Sequence, residues 1–134
     1  MRISLVVLGL VAIAPASIAF AEDCGNAATQ MEMNACAAQN HQKADARLNA
    51  LYRQITSRLK DDTDATKALV AAQRAWIAFR DAECAFVGSK TAGGSVNPII
   101  VAQCKAGLTD LRVKDFEYFL KRQEGDLSCP VLAP

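Results

Sequence analysis

Gln73-Arg74-Ala75-Trp76-Ile77-Ala78-Phe79-Arg80-Asp81-Ala82-Glu83-Cys84 is the stretch on which the fold turns. Two adjacent apolar stripes run through and beyond it: Leu69, Ala72, Trp76, Phe79 and Phe86 form one, and Val70, Ile77, Cys84 and Val87 the other. Steps of three, four and seven are those of a helix rather than a strand. Asp61-Asp62-Thr63-Asp64 offers N-caps before the stripes, and Gly88 can take a left-handed cap after them, so a helix is predicted from about Asp64 to Val87. A helix apolar over so broad an arc is expected to be central and to touch two others.

Those two others follow from the same rules. Upstream, Thr29 and Glu32 form a capping box, in which each side chain satisfies a backbone donor at a helix start. Ala44, Leu48, Leu51, Ile55 and Leu59 continue one face of that helix. Downstream, Gly88 to Asn97 contains three glycines with Ser and Thr and no apolar period, and reads as an exposed loop. Asn97 as cap and Pro98 in the first turn then open a third helix. Its apolar face comprises Val101, Cys104, Leu108, Leu111, Phe116, Phe119 and Leu120, and it ends at Glu124-Gly125. The expectation is an all-α fold, a small antiparallel three-helix bundle running up-down-up, with a core over 29–123 and a short C-terminal tail. The chain contains no internal repeat and no low-complexity segment.

The N-terminus sets the compartment. Arg2, an apolar run around Leu5 to Ile13 and the small-x-small Ala19-Phe20-Ala21 read as a signal peptide over residues 1–21, cleaved after Ala21. Pro15 and Ser17 interrupt the run, which falls short of the roughly 20 apolar residues a membrane span needs. Glu22 and Asp23 precede Cys24, so no cysteine follows the cleavage motif directly and lipid attachment is not expected. The expected product is residues 22–134, periplasmic or secreted, with no stable membrane anchor expected.

The full chain has 15 Lys and Arg against 14 Asp and Glu, and Arg2 leaves with the leader. A mature chain this close to neutral, with no basic stripe, argues against nucleic acid, which is bound by clustered cationic charge.

All five cysteines lie in the exported part, where an oxidising compartment lets disulfides persist. Two bridges and one leftover thiol are expected, and topology must choose the pairs. The antiparallel bundle places the end of the second helix beside the start of the third, which pairs Cys84 with Cys104. A fold-back of the leading segment pairs Cys24 with Cys36. Cys129, beyond the third helix, is the odd residue.

Enzymatic chemistry has little to draw on. The single histidine, His41, shares a face with Ala44 and Leu48 and reads as a packed residue. No His partner or close Cys pair supplies a metal-ligand spacing, so no metal and no cofactor is expected. Asp81 and Glu83 point to different helix faces, and Asp61, Asp62 and Asp64 form a solvated turn, so no carboxylate pair is set for acid–base work. Gly93-Gly94-Ser95 lacks the lysine and the strand-to-helix setting of a phosphate loop. Gln73, Trp76 and Arg80 share one side of the second helix. Asp45 and Asn49, one turn apart on the first helix, are their expected hydrogen-bond partners in a polar network that fixes helix register.

Taken together, Cys24, Thr29-Gln30-x-Glu32-Met33-Asn34-x-Cys36, Ala44-Asp45-x-x-Leu48-Asn49-x-x-Tyr52, Ala72-Gln73-Arg74-Ala75-Trp76-Ile77-x-Phe79-Arg80-Asp81-x-Glu83-Cys84, Gly93-Gly94-Ser95, Cys104 and Leu108-Thr109-x-x-Arg112 resemble the lysozyme-inhibitor LprI-like domain. The resemblance covers Cys24 to about Leu120. It implies an all-helical envelope domain and an ability to inhibit lysozyme, and it carries over no inhibitory residue.

Two functional expectations result. In the first, the chain is a periplasmic binding protein that inhibits lysozyme-type peptidoglycan hydrolases, and lysozyme is the candidate partner. The loop between the bridged Cys84 and Cys104 would be inserted, with Lys90 facing the enzyme carboxylates. Ser89, Thr91 and Ser95 would donate to sugar-site acceptors of the enzyme, with Gly93 and Gly94 part of the same candidate partner-binding loop. In the second, a non-inhibitory envelope module docks on another protein through Lys105, Arg112 and Glu117 of the third helix. The oligomeric state is left open by the sequence.

Overall fold

The computed structural model describes residues 24–122 and 125–131, so the expected signal peptide, residues 1–21, lies outside the described residues. Among the described residues there are three α-helices: α1 (Gln30–Arg58), α2 (Thr63–Val87) and α3 (Asn97–Lys121). Short 3-10 turns at Cys24–Asn26 and Ser89–Thr91 precede α1 and follow α2.

The long first helix has a local cause. No Gly or Pro interrupts residues 30–58, and the capping box closes its start. The Thr29 hydroxyl accepts from the Glu32 N–H at 3.2 Å, while the Glu32 carboxylate accepts from the N–H groups of Ala28 and Thr29 at 2.8 and 3.0 Å. These hydrogen bonds, that from Ala28 foremost, hold the Glu32 carboxyl below its usual range. Helix α2 is capped by the Asp62 carboxylate, which accepts from the Ala65 N–H at 2.9 Å.

The chain runs up-down-up. Asn34 reaches the Ser95 carbonyl, Arg47 pairs with Asp110 and Arg58 reaches the Leu120 carbonyl, so α1 and α3 are parallel neighbours. Helix α2 lies antiparallel on α3, and the α1 and α2 backbones barely approach each other. The central helix is therefore α3, where the stripe pattern pointed to α2. The apolar arc of α2 is broad because much of it is uncovered: Phe79 is 53% exposed and Phe86 72%. On α3, Leu111 is turned outward and Thr109 is buried in its place, so the inward face is Thr109, Val113, Phe116.

The core is small and lies toward one end. Leu48 and Ile55 of α1 and Leu59, which caps it, meet Val113 and Phe116 of α3 and, from the tail, Val131. The other end holds both disulfides, Cys24–Cys36 and Cys84–Cys104, with Cα atoms 5.9 and 5.6 Å apart. A core this size benefits from cross-links, each contributing about 2 to 4 kcal/mol by restricting the unfolded chain.

Two helix ends differ from the sequence reading. Gly88 has φ −79°, not the left-handed value. A glycine is needed there for closeness, since a Cβ would lie 2.7 Å from Val101 Cγ2 and 2.9 Å from Asn97 Nδ2. The cap of α3 is Val96, and Asn97 stands inside the first turn with its side chain turned back to the loop.

Candidate functional site

Between α2 and α3 the chain closes a loop bracketed by the Cys84–Cys104 bridge, and its shape follows from consecutive tight turns. Thr91 N–H donates to Gly88 O at 3.0 Å, Gly94 N–H to Thr91 O at 2.9 Å, and Asn97 N–H to Gly94 O at 3.2 Å. Gly93 supplies the one left-handed step, φ 78°. The Asn97 amide donates to Gly88 O at 2.8 Å and to Thr91 Oγ1 at 3.1 Å, and the Thr91 hydroxyl donates to Gly88 O. On the α1 side, Asn34 donates to the Ser95 carbonyl at 3.4 Å. The loop is thus held by a disulfide, a side-chain clamp and a tie to α1.

This geometry sorts the loop residues. Ser89, Lys90, Gly93, Gly94 and Ser95 are exposed at the end of the bundle, with Lys90 presented on the 3-10 turn. Thr91 is half-buried and its hydroxyl is engaged inside the loop, so it is not placed to donate to a partner as expected above.

The polar cluster is built around Arg80, which is buried. Its Nη1 donates to Asp45 Oδ1 of α1 at 2.8 Å and to Thr109 Oγ1 of α3 at 3.3 Å, and its Nε to Asp81 Oδ1 at 3.1 Å. The guanidinium lies 5.2 Å from the centre of the Trp76 ring. Lys105 of α3 reaches Asp81 at 3.2 Å. Burial alone would raise the Asp81 carboxyl, but hydrogen bonds from Lys105 and Arg80 outweigh it and hold the group below its usual range.

Gln73 belongs to a different contact than expected: it accepts from Arg112 Nε of α3 at 3.3 Å rather than bonding α1. Arg112 is stacked 4.6 Å from the Phe116 ring centre and 5.9 Å from that of Trp76. Asn49 stands outside the network on the exposed side of α1. The helical step from Asp45 rotates it away from α2, so Asp45 alone carries the α1 contribution.

His41 is half-buried, with Nε2 3.6 Å from Asp45 Oδ2, beyond hydrogen-bond distance, and that nitrogen is buried with no partner. Burial holds its pKa below the ordinary value against the attraction of Asp45, and the positive charges of Arg80 and Lys105 reinforce the depression. The cluster is close to charge-balanced, with Arg80 and Lys105 set against Asp45 and Asp81, and through Arg80 it joins three helices.

Two features lay beyond the sequence reading. Val131 buries itself in the core, and the tail is hooked there by the Cys129 thiol, which is free and half-buried and donates to the carbonyls of Val131 and Phe119. Between this tail and the α1–α2 end lies an apolar cavity of about 290 Å³, where Arg112 is the charged lining residue. Thr109 was legible in the steps of four and three to Val113 and Phe116. The contact of Gln73 with Arg112, far apart in sequence, left no local sign.

With this geometry in view, three similarities converge. A DUF1311 family protein of Pseudomonas putida KT2440, solved as a crystal structure, superposes with a TM-score of 0.61 at 26% identity, over 67% of this chain and 92% of that one. An uncharacterized protein of Rhizobium meliloti (strain 1021) is 39% identical over 113 residues, covering 76% of this chain and 81% of the relative. Residues 21–116 match the family model described as lysozyme inhibitor LprI, which takes in α1, α2, the bridged loop, all four bridged cysteines and most of α3; the chain belongs to that family.

Proposed function

We propose that residues 22–134 are an exported, non-enzymatic binding protein that inhibits lysozyme-type peptidoglycan hydrolases, with the Ser89–Asn97 loop as the inserted element. The observation that carries the reading is the loop itself: a protruding segment held by the Cys84–Cys104 bridge and the Asn97 clamp, with Lys90 exposed upon it. Family membership supports lysozyme-type hydrolases as the enzyme class. A lysozyme-type cleft works through two carboxylates, to which a single projecting ammonium is complementary. A loop already ordered in the free protein loses little entropy on binding.

Docking through α3 has less support, because Lys105 is paired with Asp81 and Arg112 is stacked between aromatic rings inside the domain. Export itself rests on the residue 1–21 pattern and on the two disulfides.

The test is clearance of peptidoglycan-rich cells by a c-type lysozyme with and without excess inhibitor. Slower clearance supports the reading. Lys90→Glu should weaken inhibition at least tenfold, with folding confirmed by circular dichroism. Unchanged potency of Lys90→Glu removes the loop, and no inhibition across several lysozyme types removes the function. A Cys84→Ser, Cys104→Ser double variant probes the bridge without a reductant that would also attack the lysozyme.

A further inference from the structure

Helix α2 is inverted relative to an ordinary surface helix. Gln73, Arg80 and Cys84 point inward, while Ala68, Ala72, Ala75, Phe79, Ala82 and Phe86 are every one exposed, Ala68 and Ala72 at the edge where they also line the cavity beside the tail. These six follow steps of four, three, four, three and four, the seam spacing by which one helix packs against another. Beside the seam run Ala71, Ala78 and Ala85, also exposed and small enough to let a second helix come close. The charged residues Lys67, Arg74 and Glu83 stand only at its margins.

We propose that this face is the contact between two copies of the chain, paired with their α2 helices antiparallel about a two-fold axis at the height of Ile77 along the helix. The seam is complementary to itself in that arrangement alone. Ala68 faces the partner's Phe86, Ala75 faces the partner's Phe79, and Ala72 faces the partner's Ala82, so each ring has a small residue opposite it. A parallel pairing would set ring against ring and alanine against alanine, leaving gaps between the rings. Such closed two-fold pairing is the commonest form of assembly.

Area and charge point the same way. A buried aromatic ring removes about 200 Å² from water, so Phe79 and Phe86 at their observed exposures leave on the order of 250 Å² uncovered. With the exposed alanines the face reaches on the order of 500 Å² per copy, and the pair reaches the roughly 1,000 Å² expected of a genuine interface. An uncharged seam offers nothing to an acid-lined enzyme cleft but meets no repulsion from its own copy. Antiparallel pairing leaves both Ser89–Asn97 loops at opposite far ends, so dimerisation and inhibition fail or succeed separately.

The experiment uses protein expressed from the full sequence and recovered from the periplasm, and measures mass by light scattering across the micromolar range. A dimer is expected, and Phe79→Glu with Phe86→Glu should raise its dissociation constant at least about a hundredfold without changing the helical circular-dichroism signal, both side chains being exposed. In a Cys129→Ser background, Ala78→Cys should cross-link two copies under mild oxidation, because the two-fold axis brings Ala78 beside the partner's Ala78. Ala85→Cys, equally exposed but about 24 Å from its counterpart along the paired helices, should not. A monomer throughout the range overturns the proposal, as does a dimer indifferent to the Glu substitutions. Cross-linking of Ala85→Cys in place of Ala78→Cys overturns the register. A monomer whose Phe86→Glu variant loses inhibition assigns the face to the enzyme instead.

Discussion

Arg80 of α2 donates to Asp45 of α1 across a gap that the two backbones themselves do not close, at 2.8 Å. The same guanidinium bonds Thr109 of α3, so one side chain ties all three helices at the level of the disulfide-rich end. Replacing Arg80 by Ala removes the cation, strands the fully buried Thr109 hydroxyl and opens a void beside Trp76. Because the Asp45 carboxylate is 36% exposed and regains water, the cost is expected to be about 2 to 3 kcal/mol, below that of a wholly buried pair. Urea unfolding of Arg80→Ala with the disulfides intact checks this, and Asp45→Asn should cost roughly half as much, since its amide oxygen can still accept from Arg80.

His41 makes the fold sensitive to mild acid. Its pKa is depressed in the folded state, so the unfolded chain takes up a proton first as the pH falls. The stability is therefore fully present above the unfolded value of about 6.5, declines as the pH falls below it toward the folded value, and then levels off. Asp81, also depressed, acts in a lower window: its contribution holds above the normal carboxylate range and is lost as the pH drops through its own folded value. The urea midpoint of the wild type should fall between pH 7.5 and pH 5.5, and His41→Gln should flatten that segment of the profile while leaving the more acidic one.

Two glycines in one loop should fail for different reasons. Gly88→Ala inserts a Cβ at 2.7 Å from Val101 and 2.9 Å from Asn97, in ordinary backbone geometry, and an overpacking cost of about 1 to 3 kcal/mol is expected. Gly93→Ala meets nothing within 4 Å but must hold φ 78°, at about 1 kcal/mol. Only Gly88→Ala should disturb the Asn97 clamp, read as faster amide exchange at Thr91 and Gly94.

The tail belongs to the core. Val131 is 1% exposed and packs with Ile55 and Phe116, so Val131→Ala should cost about 2 kcal/mol through lost burial and a cavity that adds to the one beside it. Thermal unfolding measures it. Cys129→Ser, which retains a donor toward the Val131 carbonyl, should cost less.

Much of the fold was legible because its causes are local. The capping box at Thr29 and Glu32, the acidic N-cap at Asp62 and the unbroken run from Gln30 to Arg58 depend on residues a few positions apart. The Cys84–Cys104 pair followed from the short connection between the second and third helices, and Cys24–Cys36 from a fold-back of the segment before the first. In the candidate loop, exposure at Lys90 and Ser95 was legible, whereas the engagement of Thr91 within the loop was not, since it depends on Asn97 entering the helix rather than capping it.

The sequence by itself determined that there are three helices and roughly where they lie, and that Arg80 needs partners. Tertiary structure decided which helix is central, which apolar stripe is covered and where Gln73 finds its partner. The reason is physical: periodicity shows that a face is apolar, but only the positions of the other helices show whether anything lies against it. On α2, Arg80 turns inward because Asp45, Thr109, Asp81 and the Trp76 ring together satisfy it, and that inward turn leaves Phe79 and Phe86 facing water.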